Sequence, residues 1–393
     1  MSGPVGVGSA APRVSCHLIL STVFSGAEKV VVDELNTLDR ARFAPSLVCT
    51  EENQSAFQRR LRGDVRVVAV RSGGRGWARD PGFALRVRRA LRTVAPAVLC
   101  AHNNTAWNLG TLLRFAIGRP GLVITEHINL TGLGGQGGGS DRSARMAAYL
   151  SVIHCLWRKK TRFVAVSPSV RQYFEQVYGL DAARVEVLEN GIPVDDYPYS
   201  FRGSMQLRDE LGIGAATPLL VVVGRLDTQK GHLYLNEALA SLKRERPELH
   251  AVYLGEGPLR QAIEADLADK GLASSVHLLG FRDDLKEVLA AADLFVLPSL
   301  WEGLPIAVLE ALSLGLPVVA TAVDGTPRIV TNGVDGLLVP PRDPVALGAA
   351  IRNLLADPAR ARGLGERGRR TVQERFDVRA RVARLEEIME AVA

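Results

Sequence analysis

Short apolar runs alternate with helix-compatible segments along the whole chain, and the rhythm is played twice. The first half carries VSCHLILSTV (14–23), APSLVCT (44–50), VRVVAV (65–70), AVLCA (97–101), LVITEH (122–127), RFVAVS (162–167) and RVEVL (184–188). The second carries PLLVVVG (218–224), LHAVYLG (249–255), SVHLLG (275–280), DLFVLPS (293–299), LPVVAT (316–321) and GLLVP (336–340). The runs are mostly continuous in Val, Leu and Ile rather than alternating in polarity. Such strands are buried on both faces, which requires parallel sheets covered by helices. The stretch ENGIPVDDYPYSFRGS (189–204) breaks the rhythm with Gly and two prolines and reads as a linker. At 393 residues the chain exceeds one compact core. The expectation is an α/β protein of two Rossmann-like, doubly wound domains, 1–195 and 205–375, facing across a cleft, followed by a helix over 376–393.

Composition narrows the function classes. No apolar run reaches the ~18 residues of a membrane helix. The opening MSGPVGVGSAAPR has no charged segment leading into a long apolar one and reads as a flexible tail rather than a secretion signal. Cysteines at 16, 49, 100 and 155 are unpaired in spacing, and three lie in strand-like runs. Buried free thiols in a reducing cytoplasm are expected. The seven histidines show no ligand-like spacing and no Asp-x-Asp triplet occurs, so no metal is expected. The net charge of +6 rests on 41 Arg and 7 Lys. With the Ala, Gly and Val content this points to GC-rich bacterial coding rather than to nucleic acid. The basic stretch ALRVRRALRT (84–93) reads as a solvated helix face, with an anionic acceptor or a membrane surface as the alternative.

Ligands of doubly wound sheets bind beyond the carboxyl ends of the strands. In VVVGRLDTQKGH (221–232), Arg225 follows a strand at once, Lys230 comes five positions later, and a helix starts near Gly231. Two cations beside a helix start suit a diphosphate; a surface Arg and Lys is the plainer reading. In WEGLPIAVLE (301–310), Pro305 suits a first helical turn, which predicts a helix from Leu304 or Pro305 to about Leu314. Glu302 stands before that helix and Glu310 on its second turn. One acid could hold a sugar and the other a ribose diol; the alternative is a capping Glu302 and a solvated Glu310. Gly26 in STVFSGAEKVVVDEL (21–35) allows close backbone approach to a ligand, or a tight packing turn. Glu126 and His127 end a strand, where the His either meets substrate or sits satisfied in the core. LGEGPLR (254–260) lacks the third glycine of a dinucleotide fingerprint. The cluster GLGGQGGGS (132–140) reads as a mobile loop.

Together these segments resemble glycosyltransferase family 4, retaining enzymes of the GT-B fold. PSLWEGLPIAVLEALSLGLPVVAT (298–321) contains the family's Glu-x7-Glu element as Glu302 and Glu310, and VVVGRLDTQKGH its Gly-Arg…Lys-Gly element. FSGAEKVV, VAVSPSV, VLENGIPVDDY, LLGFRDDL and NGVDGLLVPPRDP match further segments in order. The resemblance implies a nucleotide-diphosphate sugar, a UDP-sugar above all, held mainly by the second domain. Arg225 and Lys230 would neutralise the diphosphate, Glu310 would hold the ribose and Glu302 the donor sugar, beside Gly303 and Leu304. Backbone near Phe281 and Arg282 would meet the base. From the first domain Gly26 would approach the phosphates and His127 the sugar, with a hydroxyl acceptor near the glycine loop. The final helix would cross back to the first domain. The chain departs from the family pattern at Ser25-Gly26, where a paired glycine is frequent, and at Gly325-Thr326-Pro327-Arg328, where Gly-Gly-x-Pro-Glu is frequent.

The expected function is a cytoplasmic, metal-independent, retaining hexosyltransferase needing no cofactor. It would act on a glycan, lipid-linked sugar or small-molecule acceptor, with peripheral contact at the inner membrane face as an option. A catalytically silent nucleotide-sugar-binding partner and a nucleotide-sugar epimerase are the competing readings.

Overall fold

The computed structural model describes residues 11–72, 80–128, 155–157, 160–199 and 205–393. The glycine cluster 132–140 and most of the N-terminal tail lie outside the described residues. The first half forms a seven-stranded parallel sheet. Its strands are β1 (Arg13–Ile19), β2 (Phe43–Thr50), β3 (Arg66–Val70), β4 (Val98–His102), β5 (Gly121–Glu126), β6 (Thr161–Ala165) and β7 (Val185–Val187), in the order β3-β2-β1-β4-β5-β6-β7. Its helices are α1 (Gly26–Thr37), α2 (Glu51–Gln58), α3 (Pro81–Val94), α4 (Asn104–Leu113) and α5 (Pro168–Tyr178).

The second half forms a six-stranded parallel sheet from β8 (Leu219–Val223), β9 (His250–Leu254), β10 (Val276–Gly280), β11 (Leu294–Leu297), β12 (Val318–Thr321) and β13 (Leu337–Val339), in the order β10-β9-β8-β11-β12-β13. Its helices run α6 (Gln206–Leu211), α7 (His232–Glu245), α8 (Arg260–Asp269), α9 (Leu285–Ala291), α10 (Ile306–Ser313), α11 (Thr326–Ile329), α12 (Pro344–Ala356) and α13 (Pro358–Arg375), and α14 (Val378–Val392) ends the chain. In both sheets the order reverses beside a central strand, between β1 and β4 and between β8 and β11. This places a crevice at the strand ends of each. The continuous apolar runs are the reason: β4 and β11 are buried at every position.

Helix α14 packs beneath the first sheet rather than the second. Val378, Val382, Leu385 and Met389 share an apolar cluster with Ile19, Val123 and Val164. Ile192 donates its N–H to the Phe376 carbonyl at 2.9 Å and accepts from the Val378 N–H at 3.0 Å, so the crossing chain is stitched to the linker. A side chain at Gly121 would meet the Val392 carbonyl at 2.4 Å, so only glycine admits the helix end this close to β5.

Three of the cysteines, Cys16, Cys49 and Cys100, are buried and free as expected, whereas Cys155 is exposed. It lies outside the strands that bury the other three. The basic stretch 84–93 lies on α3, with Leu85, Arg89, Arg92 and Thr93 outward and Val87, Ala90 and Leu91 inward, a solvated face on an amphipathic helix. No helix among the described residues is long and apolar enough to cross a membrane.

Candidate functional site

The two halves touch at several points across the cleft. Phe24 after β1 packs edge-on against Phe281 after β10, with centroids 6.5 Å apart, and the Arg60 guanidinium lies over both rings while pairing with Asp283. Asn190 of the linker donates to the Leu304 carbonyl at 2.9 Å. Gly303 abuts the first domain so closely that an added side chain would stand 2.0 Å from the His127 carbonyl. This contact brings the family-type segment at 301–310 against the end of β5.

On the second domain, β8 ends and Arg225 follows. Asp227 accepts from the Lys230 backbone N–H at 3.3 Å, closing a turn that aims Lys230 back over Gly224. Lys230 Nζ donates to Glu302 Oε1 at 2.5 Å, and the Ser299 hydroxyl donates to the same oxygen at 2.7 Å. The Glu302 backbone N–H donates to Asp324 at 2.8 Å, which fixes the loop before α10. That helix starts at Ile306, with Pro305 as its N-cap, one or two residues later than the sequence suggests. Arg225 is half-exposed and pairs with Asp227 at 3.1 Å. Each cation is thus balanced by a carboxylate, a feature that spacing alone does not reveal. Arg282 is held by Glu210 and Asp284, while Phe281 stays exposed.

Glu310 is buried, against the reading of a solvated acid. Its Oε1 accepts from Lys29 Nζ of α1 and from the Tyr197 hydroxyl of the linker, both at 2.7 Å. This clasp spans the domains. Burial pulls Lys29 down, but Glu310, Tyr197 and Asp33 together hold it well above the usual lysine range. Burial pushes Asp33 beside it up to about 7, against the attraction of Lys29. Burial, reinforced by Glu310, keeps the Tyr197 phenol protonated. Sequence reasoning missed Lys29 and Tyr197. Both lie inside the quoted segments FSGAEKVV and VLENGIPVDDY, but neither spacing says that they meet 168 positions apart.

Gly26 opens α1. A side chain there would meet nothing within 4 Å, so packing does not explain the glycine and its surroundings are open. Glu28 secures this turn by accepting the Ser25 N–H at 2.8 Å and the Ser25 hydroxyl at 2.6 Å. Glu126 is buried and accepts the N–H groups of His127 and Ile128 at 2.8 and 3.2 Å. Burial nonetheless lifts it to about 8. His127 is pushed down to about 3 by burial and then by the Arg381 charge, so its ring is neutral at physiological pH.

The histidines that look scattered converge in space. His17, Glu34 and His102 form a buried group whose ligand atoms lie within 4.8 Å of one another. Arg381 already neutralises Glu34, and the facing nitrogens of His17 and His102 are 3.1 Å apart, a hydrogen bond. A separate cavity of about 770 Å³ opens between the linker, α5 and the crossing to α14. It is lined by Arg171, Glu189, Arg328 and Asp377 among others and by none of the donor candidates. Arg328, at the departure from the family pattern, pairs there with Glu189 at 2.7 Å rather than with the Glu302 group.

Comparison with known proteins agrees with this architecture half by half. A family model described as Glycosyltransferase Family 4 matches residues 24–196, and one described as Glycosyl transferases group 1 matches 217–357. Fold and matches together define a glycosyltransferase of the GT-B kind. The chain belongs to glycosyltransferase family 4. It is 26% identical over 328 residues to the UDP-Gal:α-D-GlcNAc-diphosphoundecaprenol α-1,3-galactosyltransferase of Escherichia coli, covering 82% of this chain and 83% of that one. It is 33% identical over 235 residues to a GDP-mannose-dependent phosphatidylinositol monomannoside mannosyltransferase of Mycolicibacterium smegmatis, covering 57% and 60%. Among solved structures, Anabaena HepE in complex with UDP and glucose superposes with a TM-score of 0.81 at 22% identity, covering 96% and 99%. WaaG, a glycosyltransferase involved in lipopolysaccharide biosynthesis, superposes at 0.76 and 21%, with the same coverage.

Proposed function

We propose that this glycosyltransferase moves a hexose from a nucleotide-diphosphate donor, a UDP-sugar first of all, to an acceptor hydroxyl with retention at the anomeric carbon and without a metal. The observation that carries the reading is the pairing of Lys230 with a buried Glu302 at the mouth of α10, beyond the ends of β8 and β11. A buried carboxylate with an ammonium 2.5 Å away is poised for exchange: a diphosphate takes Lys230, and Glu302 turns to sugar hydroxyls. Arg225, half-exposed and tied to nearby Asp227, swings to the same diphosphate. Glu310 has one oxygen in the Lys29–Tyr197 clasp and offers the other to a ribose diol. Phe281 and the backbone of Arg282 face the base, and Gly303 and Leu304 shape the sugar pocket. Gly26 lets the start of α1 approach the phosphates.

Chemistry follows from charge. The anomeric C–O bond breaks with oxocarbenium character and negative charge grows on the departing diphosphate. Arg225, Lys230 and the N-terminal end of α10 stabilise that charge. The acceptor hydroxyl attacks from the leaving-group side and gives its proton to the departing phosphate oxygen. This accounts for retention without an enzyme nucleophile. The E. coli relative's acceptor is a diphosphoundecaprenol-linked sugar, which favours a lipid-linked acceptor and peripheral membrane contact here as well. The test is the anomeric configuration of the product by NMR, starting from an α-linked UDP-hexose in metal-free buffer. An α-linked product supports the reading. A β-linked product, or a strict need for a divalent ion, overturns it.

A further inference from the structure

Five residues scattered over most of the chain form one polar path through the apolar underside of the first sheet. Glu34 on α1 is fully buried and takes Arg381 Nε and Nη2 of α14 on its Oε1, at 2.9 and 2.7 Å. Its Oε2 has no hydrogen-bond partner among the described residues and faces His17 Nδ1 at 3.6 Å and His102 Nε2 at 4.0 Å. His17 Nδ1 meets His102 Nε2 at 3.1 Å, and His102 Nδ1 meets His127 Nε2 at 3.0 Å. The rings are close to parallel, at 16° and 28°, and step from β1 to the adjacent β4 and on to the residue that follows β5. At the two ends, His17 Nε2 and His127 Nδ1 are buried without a partner among the described residues. The transfer reaction as described uses none of Glu34, His17 and His102.

Proton counting gives the path a direction. Burial lowers all three rings, so each is neutral and carries one proton. Each nitrogen pair holds a single proton, which leaves two arrangements. In one, His102 Nε2 donates to His17 Nδ1; His17 then keeps an N–H on Nε2, orphaned in the core, and His127 Nδ1 is a bare acceptor. In the other, His17 Nδ1 donates to His102 and His102 Nδ1 donates to His127, so the proton of His127 sits on Nδ1. The second puts the first proton on the nitrogen nearer the anionic Glu34 Oε2. At the two ends the arrangements mirror each other, an N–H left on His17 Nε2 in the first and on His127 Nδ1 in the second, so the Glu34 charge decides the direction.

We propose that His17 and His102 are positioning residues which, with Glu34 setting the direction, hold His127 as the neutral tautomer protonated on Nδ1, a hydrogen-bond donor for a sugar hydroxyl in the cleft. Arg381 anchors Glu34, so α14 reaches the site through this path. The role of the donor rests on the sugar-transfer reading; the tautomer does not.

The test has two arms. In ¹⁵N-histidine NMR of the wild-type protein at neutral pH, with His127 assigned from the His127→Asn spectrum, Nδ1 of His127 is expected to be protonated and Nε2 bare. A proton on Nε2, or a charged ring anywhere in the path, overturns the proposal. In kinetics, His102→Phe removes both bonds at similar ring size and lowers kcat about tenfold, the scale of one well-placed hydrogen bond, with the donor KM within about twofold. His102→Asn, whose amide donates from near the Nδ1 position, recovers most of it. Wild-type kcat in His102→Phe, alongside a large loss in His127→Ala, overturns the proposal. Full turnover in His127→Ala instead overturns the sugar contact of that residue, and the tautomer assignment still decides the path. Should His102→Phe fail to fold, the wild-type spectrum decides alone.

Discussion

On the first domain's side of the cleft, His127 is backed by two further buried rings, a buried carboxylate and a guanidinium that is 2% exposed. On the second domain's side, Lys230 and Arg225 sit in ion pairs near the surface, with side chains 17% and 51% exposed. The first arrangement is locked: moving any member strands a polar group where no water can replace its partner. The second is exchangeable, because a phosphate oxygen can take the place of Asp227 or Glu302 at little cost. On the proposed function one face fixes orientation and the other receives charge, and the two faces should then fail in different ways.

The largest difference is expected at Arg381. Arg381→Leu leaves Glu34 buried and unpaired, which costs about 3–5 kcal/mol in urea unfolding, and the double variant with Glu34→Leu regains most of it. Arg225→Ala should do the opposite. The rate falls by roughly 10²–10³, as for loss of a group that stabilises transition-state charge, while stability stays within about 0.5 kcal/mol. Equal stability losses at the two positions would erase the contrast drawn above.

Between these extremes lies the clasp that joins the domains. Lys29→Met strands Glu310, and because Lys29 is itself 27% exposed the cost is about 2–3 kcal/mol, below that of a fully buried pair. Small-angle scattering should report a more open molecule for the same variant. The smallest effect concerns pH. Glu126 holds its proton to about pH 8 in the folded protein against an ordinary value of 4.5, so the native state binds more protons than the unfolded chain in that window. Its contribution to stability is full below pH 4.5 and is lost as pH rises toward 8; Glu126→Gln should flatten this decline by roughly 1–2 kcal/mol. The lowered histidines act in the other direction, losing stability as pH falls from 6.5 toward 3. A Glu126→Gln profile that parallels the wild type would contradict the burial argument.

The second-domain face was legible in the sequence because its parts are local. Arg225 and Lys230 flank one turn, and Glu302 and Glu310 bracket one helix start, so strand, turn and helix signals place them together. The two sheets were legible for the same reason, since each strand announces itself by a short apolar run. The first-domain path was not legible. His17, Glu34, His102 and Arg381 belong to four elements and His127 follows a fifth, and only sheet order and the return of α14 make them neighbours. His17 within VSCHLIL reads as an interruption of a strand, and Glu34 reads as an ordinary helix acid. The clue was present in a weak form: a His and a Glu at positions that the flanking apolar pattern marks as buried. What each would pair with depends on topology. The balancing of Lys230 by Glu302 was hidden likewise, because residues 72 apart in sequence share a crevice only after β11 is laid beside β8.

On the proposed function a nucleotide diphosphate docks against Lys230 at the strand ends of the second domain. Isothermal titration of UDP into the wild-type protein and into Lys230→Ala tests it most directly, with circular dichroism confirming that both are folded. The variant is expected to bind at least about tenfold more weakly, the scale of one lost charge-assisted hydrogen bond. Equal affinity in the two proteins would contradict it.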